Sequence, residues 1–273
     1  MKLPRLILAA VAMAFSGAFC ETAWADSQSW EEVGNPHEML SFEKVKVPRW
    51  IAETVIRAAD VTGVDPAFVM ALADKESSFD PRSRAATSSA EGLFQFVEGT
   101  WLEVLSAHAA KHGFGAAADA ITSVNGRHTV EDAEKKRWIL SLRQDPYLSA
   151  LMACEMVKQS QERLVQQTSR APTTGELYLA HFLGANGASR LLKLLVSTPG
   201  EKAAKVFQSA AKANRALFAG SSKNKEATLA EVHARVSAMI EVRVGRFSSV
   251  STKSDVRHTA VTRHLQVSSA GPL

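Results

Sequence analysis

The feature that most constrains the fold is a succession of helical segments with apolar faces, bounded by recognisable start and stop signals. Asp65-Pro66 and Asp145-Pro146 each place an N-capping carboxylate before a proline, which is tolerated in the first turn of a helix. Gly63 follows a segment with apolar residues at helical spacing and is suited to end it. Regular alternation of strands with helices, the pattern of a parallel sheet, is missing from the sequence. We therefore predict a mainly α fold, with at most a short hairpin near residues 85–97.

The predicted helices follow one another along the chain with short polar connections. Thr129 is expected to cap one of them, Thr173 with Glu176 has the spacing of a capping box, and Gly184 is expected to break the helix that follows. The predicted segments are 49–62, 66–78, 97–112, 130–142, 146–167, 174–183, 188–196, 201–218 and 225–241.

The N-terminus has the pattern of a secretory signal peptide. Lys2 and Arg5 precede an apolar run that ends at Phe19, and Ala23-Trp24-Ala25 forms a cleavage site. We predict that residues 1–25 are removed, that residues 26–48 form a lead-in linker, and that the mature protein is periplasmic. Lipidation of Cys20 is disfavoured because Phe19 stands where a small residue is wanted. No later segment is apolar for long enough to predict a membrane span.

Charge and cysteine content exclude several classes of protein. The formal net charge of the chain is +4, and its basic residues are dispersed rather than collected in a run, so nucleic acid is not expected as a partner. Cleavage of the signal peptide would leave Cys154 as the sole cysteine, which rules out an intramolecular disulfide. Its apolar surroundings predict a buried side chain rather than a nucleophile.

Glu76 is the residue that most directly suggests chemistry. It shares a helical face with Val69, Leu72 and Ala73. Because ionised carboxylates are rarely buried alone, Glu76 is either paired or held in an apolar cleft, where burial favours the protonated form. The second alternative would make the protein an enzyme. Asp74 lies about 160° around the helix and is expected to point elsewhere.

The sequence shows none of the common motifs for metal-dependent, serine-nucleophile or nucleotide-binding enzymes. The sequence lacks a zinc-protease motif, paired Cys/His metal spacing, a nucleophile elbow and a glycine-rich phosphate loop. His108 and His112 are four residues apart on a predicted helix, but no third ligand is evident, so a solvated pair on a surface face is favoured. We expect neither a metal nor a cofactor.

The segment after Glu76 has the composition of a carbohydrate site. Small hydroxyl residues fill the loop, Gly92 permits close backbone approach, and Gln95 offers a donor and an acceptor between Phe94 and Phe96. Aromatic side chains can pack against the apolar faces of sugar rings, and amide groups can form hydrogen bonds with the sugar oxygens. The alternative is that Phe94 and Phe96 belong to the core and Gln95 is simply solvated.

Several residues together resemble the signature of the lytic transglycosylase domain of the SLT type. That signature reads approximately E-S-x-aromatic-x-P, a variable loop, G-A-x-G-L-(M/F)-Q and T-(W/Y). The matching residues are Glu76-Ser77, Phe79, Pro81, Gly92-Leu93-Phe94-Gln95 and Thr100-Trp101, with a looser match through ELYLAHFLGANGA. The resemblance covers residues 49–195 and implies a lysozyme-like α-helical domain with a substrate groove. We place the domain at 49–243, with additional packing helices over 201–241 and a disordered or loosely attached tail at 244–273.

The resemblance implies that Glu76 is the catalytic acid. In this family the glutamic acid protonates the glycosidic oxygen between N-acetylmuramic acid (MurNAc) and N-acetylglucosamine (GlcNAc). Its carboxylate then takes the proton of the muramic C6 hydroxyl, which closes on C1 to give a 1,6-anhydro end. By the same resemblance, the substrate-binding residues are Ser77, Ser89, Gly92, Phe94, Gln95, Phe96, Tyr178 and His181.

The chain departs from the family signature in three respects. Ser89 replaces the first glycine of G-A-x-G, and the loop is one residue longer, so the hydroxyl beside the acid falls to Thr87, Ser88 or Ser89. His181 replaces the groove tyrosine of A-Y-N-x-G. Either Tyr178, one turn earlier, supplies the missing hydroxyl, or His181 itself donates the hydrogen bond; a core histidine is the remaining alternative.

The sequence leaves three functions open. Peptidoglycan glycan strands are the expected partner of a lytic transglycosylase. A lysozyme-type hydrolase would act on the same strands with water as the nucleophile. A non-catalytic glycan-binding component of a secretion or motility machine is the alternative from another class. A specialised enzyme that opens the wall for such a trans-envelope machine would fit both classes, and the tail after Gly245 would then recruit the machine.

Overall fold

The computed structural model describes residues 38–220 and 226–250, and the prediction of a mainly α fold is confirmed. The predicted signal peptide at residues 1–25 lies outside the described residues. The α-helices are α1 Arg49–Thr62, α2 Pro66–Ser77, α3 Glu98–His108, α4 Gly115–Asp119, α5 Ala133–Ser141, α6 Pro146–Thr168, α7 Thr174–Ser197, α8 Ala203–Val206, α9 Gln208–Ala213, α10 Arg215–Phe218 and α11 Leu229–Arg246. Single 3-10 turns lie at Ala110–His112 and Leu142–Gln144.

The predicted helix starts at the Asp-Pro pairs are confirmed by their caps. The Asp65 carboxylate accepts the N–H of Ala67, and the Asp145 carboxylate accepts the N–H of Leu148. Thr173 and Glu176 form the predicted capping box of α7. Gly184 interrupts α7 with non-helical backbone angles, φ 73° and ψ 157°, so the predicted break is a kink between two helical halves.

The helix predicted to start after Thr129 begins later. Asp132 caps α5 by accepting the N–H groups of Glu134 and Lys135, a stronger cap than a threonine hydroxyl offers. Thr129 instead ends strand β4 Arg127–Thr129, which pairs antiparallel with β3 Thr122–Val124. The turn between them is Asn125-Gly126, where both residues have positive φ, as a tight hairpin requires.

Part of the predicted lead-in linker is structured. Strands β1 Met39–Phe42 and β2 Val45–Pro48 form an antiparallel hairpin, so the boundary predicted at residue 48 is wrong for residues 38–48. Val47 and Phe42 are buried, and their apolar surface explains why the hairpin packs on the domain. The hairpin predicted near 85–97 is reduced to isolated bridges that pair Arg84 with Glu91 and Glu91 with Phe96.

The C-terminal helices differ from the prediction in length. The segment predicted as one helix over 201–218 is three short helices, and α11 extends to Arg246, beyond the predicted end at 241. Phe247 and Val250 are buried, so the domain continues past the predicted start of the tail at 244. The rest of the predicted tail, residues 251–273, lies outside the described residues.

Phe247 connects the two ends of the described chain to α2. Its ring lies 5.2 Å from that of Phe42 in β1 and 5.7 Å from that of Phe79, both edge to face. Phe79 follows the last turn of α2. The hairpin and α11 therefore meet at the C-terminal end of α2, where Glu76 lies.

The core is built mainly from α1, α2, α6 and α7, and α11 packs on both α2 and α7. Cys154 is fully buried in α6, and burial raises the pKa of its thiol to about 12, so it has the predicted character of a core residue. Within residues 38–220 and 226–250, every helix is too short or too polar to cross a bilayer.

Candidate active site

Glu76 lies in the last turn of α2, on the face predicted from its spacing. Val69, Leu72 and Ala73 are buried, and the Glu76 side chain is 19% exposed at the edge of this apolar stripe. The helix ends immediately afterwards, because Ser78 adopts the left-handed conformation and caps it. The carboxylate is thus carried by a rigid helix but reaches solvent.

Two side chains of α7 face the Glu76 carboxylate. The Tyr178 hydroxyl donates a long hydrogen bond of 3.4 Å to Oε1 of Glu76, and Nε2 of His181 lies 3.7 Å from the same oxygen. One helical turn separates Tyr178 from His181, which places the two rings on one face, 5.8 Å apart. Both side chains that the sequence offered as replacements for the groove tyrosine therefore approach the same carboxylate oxygen.

Both neighbours of Glu76 are uncharged near neutral pH. Burial, and then the negative charge of Glu76, raise the pKa of the Tyr178 hydroxyl above its ordinary value of 10. Burial lowers the pKa of the His181 imidazole below 6.5; the Glu76 carboxylate opposes this shift, and Lys75 adds to it. Glu76 is thus contacted by polar but neutral groups.

The Glu76 carboxylate opens onto a cavity of about 710 Å³ between α2, α7 and the C-terminal helices. A second cavity of about 510 Å³ lies between α3, α6 and α7, and His181 lines both. Space for a ligand therefore extends to either side of His181. The first cavity is lined by Lys75, Glu76, Tyr178, His181, Phe182, Ala213, Asn214, Arg215, Ala216, Leu217 and Met239.

The segment that follows Glu76 in the chain holds the C-terminal end of α2 in place. The Ser77 hydroxyl donates to the carbonyl of Leu93 at 2.8 Å, which ties the helix to the Gly92–Phe96 turn. The amide nitrogen of Gln95 donates to the carbonyls of Ser83 and Gly92, which closes the turn on itself. Ser77 and Gln95 thus brace the segment next to Glu76.

A family model described as "Transglycosylase SLT domain" matches residues 53–190, about half of the chain. The chain belongs to this family. The match begins within α1 and ends within α7, so it includes Glu76, Tyr178 and His181. The β1–β2 hairpin and α8 to α11 lie outside it, although α11 packs on the helices that carry the site.

Gly92 of the SLT domain has a steric reason to be glycine. Its φ is +86°, and a Cβ atom would lie 2.0 Å from the carbonyl oxygen of Arg143. Arg143 is itself buried; its guanidinium donates to the carbonyls of Ser89 and Phe96 and pairs with Glu91 at 2.8 Å. The turn is therefore fastened to the 3-10 turn before α6.

The structure does not bring all predicted substrate-binding residues to the cavity. Phe94 and Phe96 are 2% and 5% exposed, and Phe96 packs on Trp101 with ring centroids 5.0 Å apart. Neither lines the cavity at Glu76, so the interpretation of these rings as sugar platforms is corrected to a place in the core. Burial of their apolar surface stabilises the fold, and the Phe96 ring gains it by packing on Trp101 of α3.

The loop hydroxyls also lie away from the acid. The Ser89 hydroxyl accepts the N–H of Glu98 and the Ser88 hydroxyl accepts that of Ala90, while Thr87 is exposed. None of the three lines the cavity at Glu76. Among the described residues, the hydroxyl that reaches Glu76 belongs to Tyr178.

Sequence reasoning missed the far wall of the cavity. Asn214, Arg215 and Met239 belong to elements outside the recognised signature, and no local pattern connects them with Glu76. The cavity is also lined by Lys75 and Phe182. They are the sequence neighbours of Glu76 and His181, and this adjacency was the one sequence signal that could have indicated them.

Asp74 points away from Glu76, as its angular position predicts. Its carboxylate lies 3.4 Å from Nε of Arg243 and 3.4 Å from a terminal nitrogen of Arg246, and its side chain is 12% exposed. These pairs link α2 to α11. Asp74 thus helps to position the helix that carries Glu76.

His108 and His112 do not form the solvated pair predicted for them. Nε2 of His112 lies 2.9 Å from Glu155, Nδ1 of His108 lies 3.7 Å from it, and Lys111 completes the cluster at 2.6 Å. Glu155 could not be recognised from the sequence as the partner of these histidines, because it is distant from them in the chain. Over residues 38–220 and 226–250 no group of three or more acidic, His or Cys side chains is arranged to hold a metal.

Proposed function

We propose that the protein is a peptidoglycan lytic transglycosylase that cleaves the MurNAc–GlcNAc β-1,4 bond and forms a 1,6-anhydro-MurNAc end. The observation that carries the proposal is that Glu76, at the signature position of the family, is the one carboxylate among the described residues that line its cavity. Its polar neighbours Tyr178 and His181 are both uncharged. One carboxylate must then act as acid and as base.

In the first step, Glu76 gives its proton to the glycosidic oxygen as the bond between that oxygen and C1 of the muramic residue breaks. Positive charge develops at C1, and Glu76 becomes a carboxylate beside it. The Tyr178 hydroxyl donates to Oε1 of this carboxylate and so stabilises the anion without neutralising it.

In the second step, the C6 hydroxyl of the same muramic residue attacks C1 and closes the 1,6-anhydro ring. Its proton passes to the Glu76 carboxylate, which restores the acid for the next cycle. No water is consumed, so a second carboxylate to activate one is not required. The neutral imidazole of His181, 3.7 Å from Glu76, lies where it can bind a substrate hydroxyl.

The hydrolase alternative would need a group that activates water. Two carboxylates about 5–9 Å apart are the usual arrangement for glycoside hydrolysis. Glu103 is the acidic residue that lines the second cavity, and it lies on the exposed face of α3. Glu103 does not line the cavity at Glu76.

Product analysis tests the reaction. Purified sacculi are digested with the protein, and the released fragments are analysed by mass spectrometry. We expect anhydro ends, each lighter by one water than a reducing end, and an unchanged product pattern from Glu103→Gln. Reducing ends that disappear in Glu103→Gln would establish a hydrolase instead.

Export to the periplasm is part of the proposal, because the sacculus lies outside the cytoplasmic membrane. The charged, apolar and A-x-A segments of residues 1–25 support it. Fractionation of cells that produce the full chain with a C-terminal tag should recover a shortened protein from the periplasm. Recovery of the full-length chain in the cytoplasm would contradict this part of the proposal.

A further inference from the structure

The cavity at Glu76 has a basic wall to which the matched family region contributes Lys75 and the chain after residue 190 contributes Arg215. Lys75 lies beside the acid on α2, and Arg215, at the start of α10, lines the same cavity together with Asn214. The family match ends at residue 190, so Asn214 and Arg215 belong to this chain's own C-terminal part. Two cations thus border the cavity into which the proposed acid projects.

These two cations differ from the other basic residues nearby. Arg243 and Arg246 are paired with Asp74, and the Arg235 guanidinium donates to the carbonyls of Leu217 and Ala219. Lys75 and Arg215 are exposed, and within residues 38–220 and 226–250 neither forms an ion pair or a side-chain hydrogen bond. Their charges are available to a ligand.

The basic surface continues beyond the first cavity. Arg215 also lines an open depression of about 640 Å³, together with Lys205 and Lys212. Among the described residues that line it, Glu226 is the acidic one, and it pairs with Lys202 at 3.3 Å; Lys205 lies 3.9 Å from Glu201 at the edge of the depression. A ligand that reaches from Glu76 past Arg215 therefore follows a path of positive charge.

We propose that Lys75 and Arg215 form a subsite for the carboxylates of the peptides attached to muramic acid. This inference rests on the proposed function and names the substrate that the site prefers, which is peptide-bearing rather than peptide-free glycan. In peptide-bearing glycan the lactyl carboxyl group of muramic acid is joined to the peptide through an amide. The sugar chain itself is then neutral, and the carboxylates available to the two cations are those of the peptide. The muramic residue that reacts at C1 carries its peptide on the same ring, so the peptide leaves the ring within reach of the cavity walls. Arginine binds a carboxylate through two parallel hydrogen bonds, and lysine adds a point charge.

Binding to the Glu76→Gln variant tests the subsite without turnover. Three soluble ligands are compared by calorimetry: a GlcNAc–MurNAc disaccharide with its peptide, the same compound with the peptide carboxylates amidated, and the disaccharide whose lactyl carboxyl group carries a simple amide in place of the peptide. We expect the first to bind about tenfold more tightly than the other two, as a charge-assisted hydrogen bond implies. Adding Arg215→Ala should abolish the preference, adding Arg215→Lys should restore part of it, and adding Lys75→Ala should reduce it.

Lys46→Ala is the matched control, because Lys46 is an exposed lysine on β2 and lines none of these cavities. Equal binding of the three ligands, or a preference that survives Arg215→Ala, would overturn the subsite. Its failure is distinguishable from failure of the proposed function. Anhydro products from the unmodified protein without a carboxylate preference would refute the subsite alone. A preference without anhydro products would support the subsite and refute the proposed reaction.

Discussion

Glu76 and Glu155 are both glutamates of helices that form the core, but their surroundings are opposite. The Glu155 side chain is 3% exposed and lies 2.6 Å from the Lys111 ammonium and 2.9 Å from His112. The Glu76 side chain is 19% exposed, and the polar groups that contact it among residues 38–220 and 226–250 are the Tyr178 hydroxyl and the neutral His181 imidazole. Cations surround the Glu155 carboxylate and lower its pKa, whereas the groups that contact Glu76 among the described residues are a hydroxyl and an imidazole.

Two further carboxylates follow the pattern of Glu155. Glu91 pairs with Arg143 and Arg84, and Glu176 pairs with Arg170 while it completes the capping box of α7. Buried charges in proteins are normally paired in this way, because desolvation is otherwise too costly. Glu76 departs from the rule at a cavity, which is where a group that must gain and lose a proton is expected.

The same substitution at both sites should give opposite results, and the largest effect is expected on activity at Glu76. Glu76→Gln keeps the shape of the side chain but removes the proton that the proposed reaction transfers. We expect turnover of sacculi to fall at least a hundredfold, the usual contribution of a general acid–base group. The free energy of unfolding in urea should change by no more than about 0.5 kcal/mol, because the described contacts of Glu76 are with a hydroxyl and a neutral imidazole rather than with a lysine or an arginine.

Glu162→Gln is the control for this comparison, since Glu162 is an exposed glutamate of α6 away from Glu76. It should leave both turnover and the free energy of unfolding unchanged. Wild-type turnover by Glu76→Gln would remove Glu76 from the proposed mechanism.

Glu155→Gln should show the reverse effect. Loss of the negative charge leaves Lys111 and His112 without their partner, and we expect the free energy of unfolding to fall by about 2 kcal/mol. We expect no larger loss of stability, because the Lys111 side chain is 47% exposed and can turn towards water. Turnover by the folded fraction should be retained, as measured by activity below the unfolding transition.

The pH dependence of this effect has a defined sign. Burial raises the pKa of the Glu155 carboxyl, but hydrogen bonds from Lys111 and His112 outweigh it, so the pKa lies below its ordinary value of 4.5. A lowered pKa in the folded state gives stability that is complete above the unfolded value and lost as the pH falls through the folded one. The difference between wild type and Glu155→Gln should therefore shrink below about pH 4.5. A difference that grows on acidification would contradict the pairing.

Local patterns were enough to predict the helical fold and the place of Glu76 at the edge of an apolar helical face. Asp65, Asp145 and Thr173 are capping residues whose partners lie within three positions, so the sequence specifies these helix starts directly. Asp132 was overlooked as a cap because Thr129 offered an earlier one. The buried Phe247 was assigned to a tail because its partners Phe42 and Phe79 are distant in the chain.

The surroundings of the acid could be predicted only in part. The spacing of Tyr178 and His181 placed both on one helical face, but not which would reach Glu76. The roles of Phe94 and Phe96 were ambiguous because an aromatic residue in a turn suits either a core or a sugar platform. The contribution of Arg215 to the cavity could not be predicted from the sequence, because it depends on where the short helices after α7 lie relative to α2 and α7.

The smallest effect is expected from the Tyr178 hydroxyl, which contacts Glu76. Tyr178→Phe removes the donor to Oε1 but keeps the buried ring, so the packing of α7 should be preserved. We expect turnover of sacculi to fall about tenfold, the size expected for one hydrogen bond to a charged group. The hydrogen bond is long, at 3.4 Å, which argues against a larger effect in the free protein.

Tyr147→Phe provides the matched control, because the Tyr147 ring packs under the Arg57 guanidinium, 4.8 Å from its centroid, and lines neither cavity. It should leave turnover unchanged. The pair Tyr178→Phe and Glu76→Gln also forms a cycle: if Tyr178 acts by stabilising the Glu76 anion, its removal should cost nothing further once Glu76 is an amide. An additional tenfold loss of residual turnover in the double variant would instead show that Tyr178 acts on the substrate independently of Glu76.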